Sequence, residues 1–153
     1  MNQDETMQIS TKFTIAIHIL TAVQYFEKTN KVTSDFLASS VGSNPVIIRN
    51  IMSQLRKVGI IEIRRGTGGI TLTRPLSEIT FLDVYKAVET GSGEDLFRFH
   101  ENTNPACPVG RNIHKGLTSS LKEIQSGFEE QLAKHNVEEV YDNVAEEVKK
   151  QEA

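Results

Sequence analysis

The chain of 153 residues contains a single cysteine, Cys107, and no tryptophan. One thiol excludes an intrachain disulfide framework and an intrachain cysteine cluster for a metal, and it fits a reducing compartment. No run approaches the roughly 18 consecutive apolar residues that a membrane span needs, and the start MNQDETMQIS lacks the basic and apolar blocks of a signal peptide. We therefore expect a soluble, cytoplasmic protein that has no membrane partner.

The sequence also lacks the patterns of an enzyme. No histidine stands with a nucleophile and an acid in a recognisable catalytic order, and no phosphate-binding loop is present. The run GTGGI is not a dinucleotide fingerprint, because it lies inside a predicted hairpin and does not open a helix. We therefore predict a protein without catalytic activity.

Charge is abundant, and it differs between the two halves of the chain although the net charge is only -3. Residues 1–75 hold nine Lys and Arg against five Asp and Glu, while residues 76–153 hold eight against fifteen. A basic first half suits a polyanionic partner, and an acidic second half suits solvent or a partner subunit. The chain is long enough for one compact domain with an appended element.

The first predicted element is a buried helix over residues 11–26. Its apolar side chains recur at spacings of three and four residues and form a wide stripe on the helix surface. The stripe contains Phe13, Ala16, Ile17, Leu20 and Val23.

Two short helices joined by a turn follow the first helix. Residue 33 or 34 offers a side-chain oxygen that caps the second helix, which ends near Gly42. Ser43 and Asn44 are N-cap candidates for the third helix. Pro45 suits the first turn of that helix, and Gly59 closes it. Such a pair is typical of the helix-turn-helix, whose second helix enters the DNA major groove. Opposite the apolar side of the third helix lie Val46, Arg49, Asn50, Ser53 and Arg56, which offer donors and acceptors to DNA.

A β-hairpin is predicted directly after the third helix. The runs IIEIRR and GITLT are rich in β-branched residues, and they flank a glycine-dense turn at residues 66–69. A hairpin in this position is a wing, and Arg64 and Arg65 suit phosphate contact or insertion into the minor groove. Arginines beside a turn are often only solvated, but the helix-turn-helix next to them favours DNA contact.

The segments MQISTKFTIAIHIL and SNPVIIRNIMSQLRKVGIIEIRRGTGGITLTRPLSEITFLDVYKAVE resemble the Rrf-two (Rrf2) family of bacterial repressors, which includes iron-sulfur, nitric-oxide and cysteine-metabolism regulators. The resemblance extends over about residues 7–133, and its most specific parts are LRKVGIIEIRRGTGGITL and residues 79–89. It implies a winged helix that binds palindromic operators as a dimer. The implied DNA contacts are Ser43, Asn44, Pro45, Val46 and Arg49 in the major groove, Arg64, Arg65, Gly66 and Thr67 in the wing, and Gln8, Ser10, Thr11 and Lys12 on phosphates.

The chain departs from the family in the loop after the fourth helix. Cluster-binding members have three cysteines there, whereas residues 91–112 hold only Cys107. A dimer would supply two thiolates where an iron-sulfur cluster needs about four ligands. His100, Glu101 and His114 are the other candidate ligands, but isolated histidines of this kind are usually surface or core residues. We therefore predict no metal site and no cofactor.

Cys107 is the remaining candidate sensor. Pro108 suits a first helical position, which places Cys107 at or beside a helix N-cap, where the helix dipole and Arg111 favour a thiolate. Because the family has its sensor chemistry in this loop, the resemblance favours a redox switch in which Cys107 reacts with an oxidant or a low-molecular-weight thiol. The alternative is a small, partly buried hydrophobic residue, which is the commonest state of a free cysteine.

A long amphipathic helix is predicted after this loop. Its length of roughly 30 Å exceeds what a small winged domain covers, which favours packing against a second subunit over packing against its own domain. A homodimer of this kind can read a palindrome. Residues 137–153 are predicted to form a weakly anchored final helix. The dimerisation stripe consists of Ile113, Leu117, Leu121, Ile124, Phe128 and Leu132.

These patterns predict a mainly α-helical fold with a small β-hairpin wing (α+β), that is, a winged helix-turn-helix with a long dimerisation helix. Residues 1–89 form the DNA-binding domain, residues 90–111 the sensor loop, and residues 112–153 the dimerisation helix and tail. The predicted function is a dimeric, sequence-specific transcriptional repressor of double-stranded DNA that is switched by oxidation of Cys107. The alternatives are a repressor regulated by a small molecule or a partner enzyme, and a winged-helix module that binds an acidic protein.

Overall fold

The structure is a computed structural model that describes residues 10–66, 69–89, 96–97 and 99–152. It is mostly helical with one antiparallel hairpin, which confirms the predicted fold class. None of the helices in these ranges combines the length and apolar character that crossing a bilayer requires. The elements are α1 (Thr11–Phe26), α2 (Ser34–Val41), α3 (Pro45–Lys57), β1 (Ile61–Arg64), β2 (Gly69–Leu72), a 3-10 turn (Leu76–Glu78), α4 (Phe81–Val88), α5 (Pro108–Ala133) and α6 (Val137–Glu152).

The central helix of the winged domain is α1. Its observed bounds match the predicted range, and Ser10 caps it by accepting a hydrogen bond from the Lys12 N–H at 3.3 Å. Helices α2, α3, α4 and α6 and strand β2 all contact α1. Because its neighbours lie on several sides, α1 needs a wide apolar surface. Its buried residues are Ala16, Ile17, Ile19, Leu20, Thr21, Ala22 and Val23.

Two glycines end the helices of the helix-turn-helix, as the sequence predicts, and both have positive φ. Gly42, with φ 74°, ends α2 in the left-handed region. Gly59, with φ 78°, follows α3, and its N–H donates to the Arg56 carbonyl at 3.0 Å. The N–H of Ile60 donates to the Leu55 carbonyl at 3.0 Å. This pair of hydrogen bonds is a Schellman motif, which satisfies the last carbonyls of α3 and turns the chain into β1.

The hairpin packs against the segment that precedes α2. Strands β1 and β2 pair in antiparallel register, with Arg64 opposite Gly69. The N–H of Ile70 donates to the Val32 carbonyl at 2.9 Å. A Cβ at position 69 would lie 2.8 Å from that same carbonyl oxygen, and the backbone there has φ 67°. Glycine at this position therefore permits the close approach that holds the wing to the domain.

The longest helix of the described chain is α5, which has 26 residues and a length of about 39 Å. It begins at Pro108, so its first turn includes residues 108–111 of the predicted sensor loop. It packs on α4, yet none of its residues is buried.

The start of α6 is anchored in the core, so the prediction of a weakly anchored final helix was wrong for these turns. Val137 is fully buried, and its N–H donates to the Ile79 carbonyl at 3.0 Å. Thr80 and Asn136 form an isolated antiparallel bridge, and Val140 packs against the core. The apolar residues that recur among the acidic ones form a narrow stripe, which is enough to attach an amphipathic helix.

A matched pair of glycine substitutions tests the helix end after α3. Gly59→Ala should lower the free energy of unfolding by about 1 kcal/mol, because an L side chain is strained at positive φ although space is open around the site. Gly127→Ala, in the middle of α5 and equally open, should raise it by about 0.5–1 kcal/mol. Urea titrations at one fixed protein concentration measure both. Equal effects of the two substitutions would contradict the assigned left-handed turn.

Candidate nucleic-acid interface

The N-terminus of α3 is built to present backbone N–H groups. Asn44 caps it, with its Oδ1 accepting from the Val46 N–H at 2.7 Å, and Pro45 occupies the first helical position. The first turn has no acidic residue. Ser43 is half-buried in the preceding turn. The positive end of the helix dipole is thus exposed to an anion or to an acceptor on a base edge.

The two faces of α3 differ sharply in burial. Ile48, Ile51, Met52 and Leu55 are buried on one side. Ser53 is half-buried, and the other four predicted DNA-facing side chains are exposed: Val46, Arg49, Asn50 and Arg56. The burial of the apolar side fixes which residues the helix offers to a groove, as the sequence predicts.

A cleft of about 370 Å³ lies between the start of α1 and α3. It brings Lys12 of α1 together with Asn50 and Ser53 of α3. Lys57 also lines it, and the sequence analysis did not include this residue. Its spacing of four residues from Ser53 places both on one side of the helix, which was the available signal. Two lysines and no acidic group among the described lining residues suit a phosphate.

The wing presents its arginines to solvent. Arg64 forms an ion pair with Glu62 at 3.9 Å, and both side chains are more than half exposed. Exposed pairs of this kind contribute little, so a phosphate can replace the carboxylate. Arg65 is exposed in the turn, and the Lys31 ammonium donates to the Gly66 carbonyl. Lys31 is a second residue that the sequence analysis missed. Thr67 lies outside the described residues.

The start of α1 is occupied by local hydrogen bonds. The Ser10 hydroxyl accepts from the Lys12 N–H and donates to Glu89 Oε1 at 2.6 Å. Its hydroxyl therefore caps α1 and links it to the end of α4. Thr11 and Lys12 are exposed, and Gln8 lies outside the described residues.

Cys107 is the N-cap of α5. Its Sγ accepts from the Gly110 N–H at 3.5 Å, and Pro108 occupies the first helical position, as predicted. The side chain is half-buried. The Arg111 guanidinium donates to the Pro105 carbonyl at 3.3 Å. The idea that Arg111 favours the Cys107 thiolate stays a prediction, because the hydrogen bond described for the Arg111 guanidinium is to a backbone carbonyl and not to the sulfur.

The predicted dimerisation stripe is partly used within the chain. The ring of Phe128 meets Tyr85 of α4 edge-on with a centroid distance of 5.4 Å. Leu121 lines a hollow together with Phe97, while Ile124 is 50% exposed. Ile113, Leu117 and Leu132 are half-buried. The stripe therefore has a packed end near α4 and an open middle.

The chain is similar in sequence and in structure to known transcriptional regulators. A model of the Rrf2 family, described as iron-dependent transcriptional regulators, matches residues 9–143. YwnA of Bacillus subtilis, named as a candidate HTH-type transcriptional regulator, is 37% identical over 89% of this chain and 98% of its own length. The crystal structure of a candidate DNA-binding protein is 33% identical, with a TM-score of 0.68 over 84% of this chain and 97% of that one. CymR, the global cysteine regulator of B. subtilis, is 19% identical with a TM-score of 0.63 over 90% and 98%, and shares the fold.

The donor side chains in the described parts of the chain do not fit the iron that the family description implies. His114 Nε2 lies 2.8 Å from the His100 carbonyl oxygen, and its ring stacks on Phe99 with a centroid distance of 4.7 Å. In the described parts of the chain, no three His, Cys, Asp or Glu side chains come together as a metal site. One thiol per chain is also fewer than a cluster needs.

Proposed function

This chain belongs to the Rrf2 family of DNA-binding transcriptional regulators, and from that premise we propose that it is a repressor that binds a palindromic operator as a homodimer. The main support is α3, whose apolar side is buried while Arg49 and Asn50 are exposed beside a cleft with two lysines. A surface that joins base-reading side chains to phosphate-binding amines fits duplex DNA better than an acidic protein.

The contacts divide into two kinds in this proposal. Residues at the exposed N-terminal part of α3, with Arg49 foremost, read base edges in the major groove. Lys12 and Lys57 in the cleft and Arg64 in the wing bind phosphates on either side. Phosphate contacts set the position of α3 on the duplex, and base contacts set the sequence that is preferred.

The homodimer is proposed from α5. None of the 26 residues of α5 is buried, so a monomer exposes apolar surface on this helix. Ile124 lies at the centre of that surface. Packing the same helix of a second copy against it buries that surface around a two-fold axis. Two recognition helices related by such an axis match two half-sites of a palindrome. When this dimer occupies a promoter, it prevents RNA polymerase from binding there, and transcription is repressed.

The proposed signal is oxidation of Cys107. Hydrogen peroxide oxidises the Cys107 thiol to a sulfenic acid and is itself reduced to water, and a second thiol then condenses with the sulfenic acid, forming a disulfide and releasing water. The second thiol is Cys107 of the other subunit or a low-molecular-weight thiol. The support is positional: Cys107 caps the helix proposed for dimerisation, so a change at its sulfur acts on the start of α5. Release of DNA follows if the two recognition helices change their spacing.

Anisotropy titrations with the chain's own upstream promoter and a scrambled duplex test the DNA interface. Arg49→Ala should weaken promoter binding about tenfold and change binding to the scrambled duplex little, because it removes a base contact. Arg64→Ala should weaken both and reduce the slope of log affinity against log salt by about one, because it removes a phosphate contact. Arg111→Ala, the same change on α5, is the control. Equal behaviour of the three variants would contradict the interface, and no promoter preference in the unmodified protein would favour a protein-interaction module.

Sedimentation at micromolar concentration tests the dimer. The unmodified protein should have twice the 17.1 kDa mass of the chain. Ile124→Asp should dissociate it, because burying an unpaired charge in an apolar interface costs several kcal/mol. Ser119→Asp, which introduces the same charge on the opposite side of α5, should leave the dimer intact. A monomeric unmodified protein, or dissociation by both substitutions alike, would argue against this interface.

Replacement of the thiol tests the redox signal. Peroxide should weaken promoter binding by the reduced protein more than about tenfold, or 1.4 kcal/mol, and added reductant should restore it. Cys107→Ser should bind the promoter as tightly as the unmodified protein and ignore peroxide. A serine variant that still responds would eliminate Cys107 as the sensor, and an unmodified protein that ignores oxidant would favour regulation by a small molecule or a partner enzyme.

A further inference from the structure

An apolar cavity of about 580 Å³ opens between α1, α2 and α6, away from the cleft of the DNA interface. This volume lies within the range of small-molecule sites, roughly 300–1,000 Å³. Seven of its eleven described lining residues are apolar or aromatic, and two more are threonines whose hydroxyls bond to their own helix. The lining consists of Thr14, Ile17, His18, Thr21, Ala22, Tyr25, Phe26, Ser40, Val140, Val144 and Val148.

Apart from the phenol of Tyr25, the polar side chains of the cavity that are not bonded to their own helix form one pair. The hydroxyls of Thr14 and Thr21 donate to carbonyls of α1, at 3.1 and 2.8 Å. His18 Nε2 lies 3.0 Å from Ser40 Oγ, and Ser40 is exposed, so this pair stands at the mouth. Burial lowers the pKa of His18, which keeps the imidazole neutral at pH 7. No Lys, Arg, Asp or Glu is among the described lining residues, so nothing there compensates a ligand charge.

Helix α6 contributes apolar side chains to the cavity wall, and some of them do not pack against the core of the chain. Val140 packs against the core, but Val144 one turn later is 40% exposed and Val148 is half-buried. The spacing of four residues aligns these side chains in one stripe that faces the cavity. Filling the cavity with apolar atoms would remove this stripe from water, at about 25 cal/mol for each Å² buried.

We propose that this cavity, the α1–α6 pocket, binds an uncharged, mainly apolar small molecule with one hydrogen-bonding group that meets His18 and Ser40. A concave site walled by three helices, with a polar pair at its mouth, has the features of a small-molecule site. Helix α2 belongs to the helix-turn-helix, and α6 follows α5, the proposed dimerisation helix. A ligand between them would therefore change the orientation of the recognition helices in the dimer. This regulatory part rests on the proposed DNA-binding function, whereas binding itself does not.

Fluorescence of N-phenyl-1-naphthylamine, a neutral apolar probe with one N–H donor, tests the pocket in the full chain. The unmodified protein should bind one probe per chain. Val144→Phe should weaken binding about tenfold, because the added ring occupies the cavity. Val109→Phe, the same change at a residue of α5 that is 68% exposed and outside the pocket, should bind like the unmodified protein. Absent binding, or equal effects of both substitutions, would overturn the proposal.

Competition tests the chemistry of the ligand. 1-Naphthol should displace the probe at about tenfold lower concentration than 1-naphthoate, because the pocket gives a carboxylate no counter-charge. Equal potency would overturn the uncharged class. If Val144→Phe instead turns a dimer into a monomer, the cavity is a subunit contact and the small-molecule proposal fails.

The regulatory part has its own readout. 1-Naphthol should change promoter affinity at least threefold in the unmodified protein and leave the Val144→Phe variant unchanged, although both bind the promoter without ligand. If the protein binds the probe but its promoter affinity does not change, the proposed regulation is wrong, while the proposed binding site stands. Loss of promoter preference without any ligand would instead refute the proposed function, and probe binding would still report on the pocket separately.

Discussion

The rest of the structure depends on the burial of α1 on several sides at once. One helix contacts α2, α3, α4, α6 and the wing strand β2, and its side chains form the common surface on which they pack. Each fully buried Ile or Leu on such a surface contributes about 1.5–3 kcal/mol relative to exposure. Because α3 turns its apolar side inward, Arg49 and Asn50 are exposed on its other side. The same packing sets Lys12 at the start of α1 beside α3, which creates the cleft between them.

Features with local causes were predictable from the sequence. The bounds of α1, the left-handed glycines at 42 and 59, the Asn44 cap and the position of the hairpin each depend on residues a few positions apart. Features that depend on distant residues were not. Three contacts join parts of the chain that are far apart in sequence, and no local pattern predicts them. They are the hydrogen bond of Val137 to Ile79, the position of Lys57 in the cleft beside α1, and the hydrogen bond of Lys31 to the wing.

The chain differs from its family's description in the kind of signal that its residues can receive. The description names iron, but a single thiol, and a histidine, His114, that already contacts a backbone carbonyl and an aromatic ring, do not supply a cluster's ligands. What the chain offers instead is a thiol at the start of α5 and an apolar cavity against α6. Both helices belong to the part of the chain that follows the winged domain. In the proposed dimer, a signal at either position would act on the relation between the two DNA-reading helices without altering the residues proposed to touch DNA.

Hydroxyl-radical footprinting of the reduced protein on its own promoter tests the central claim most directly, because it shows whether two recognition helices engage one site. A dimer that reads a palindrome should give two protected half-sites of related, inverted sequence whose centres lie about 10 or 20 base pairs apart on the same side of the duplex. Protection of a single half-site, or uniform weak protection that disappears with a scrambled competitor, would contradict a dimer that reads a palindrome.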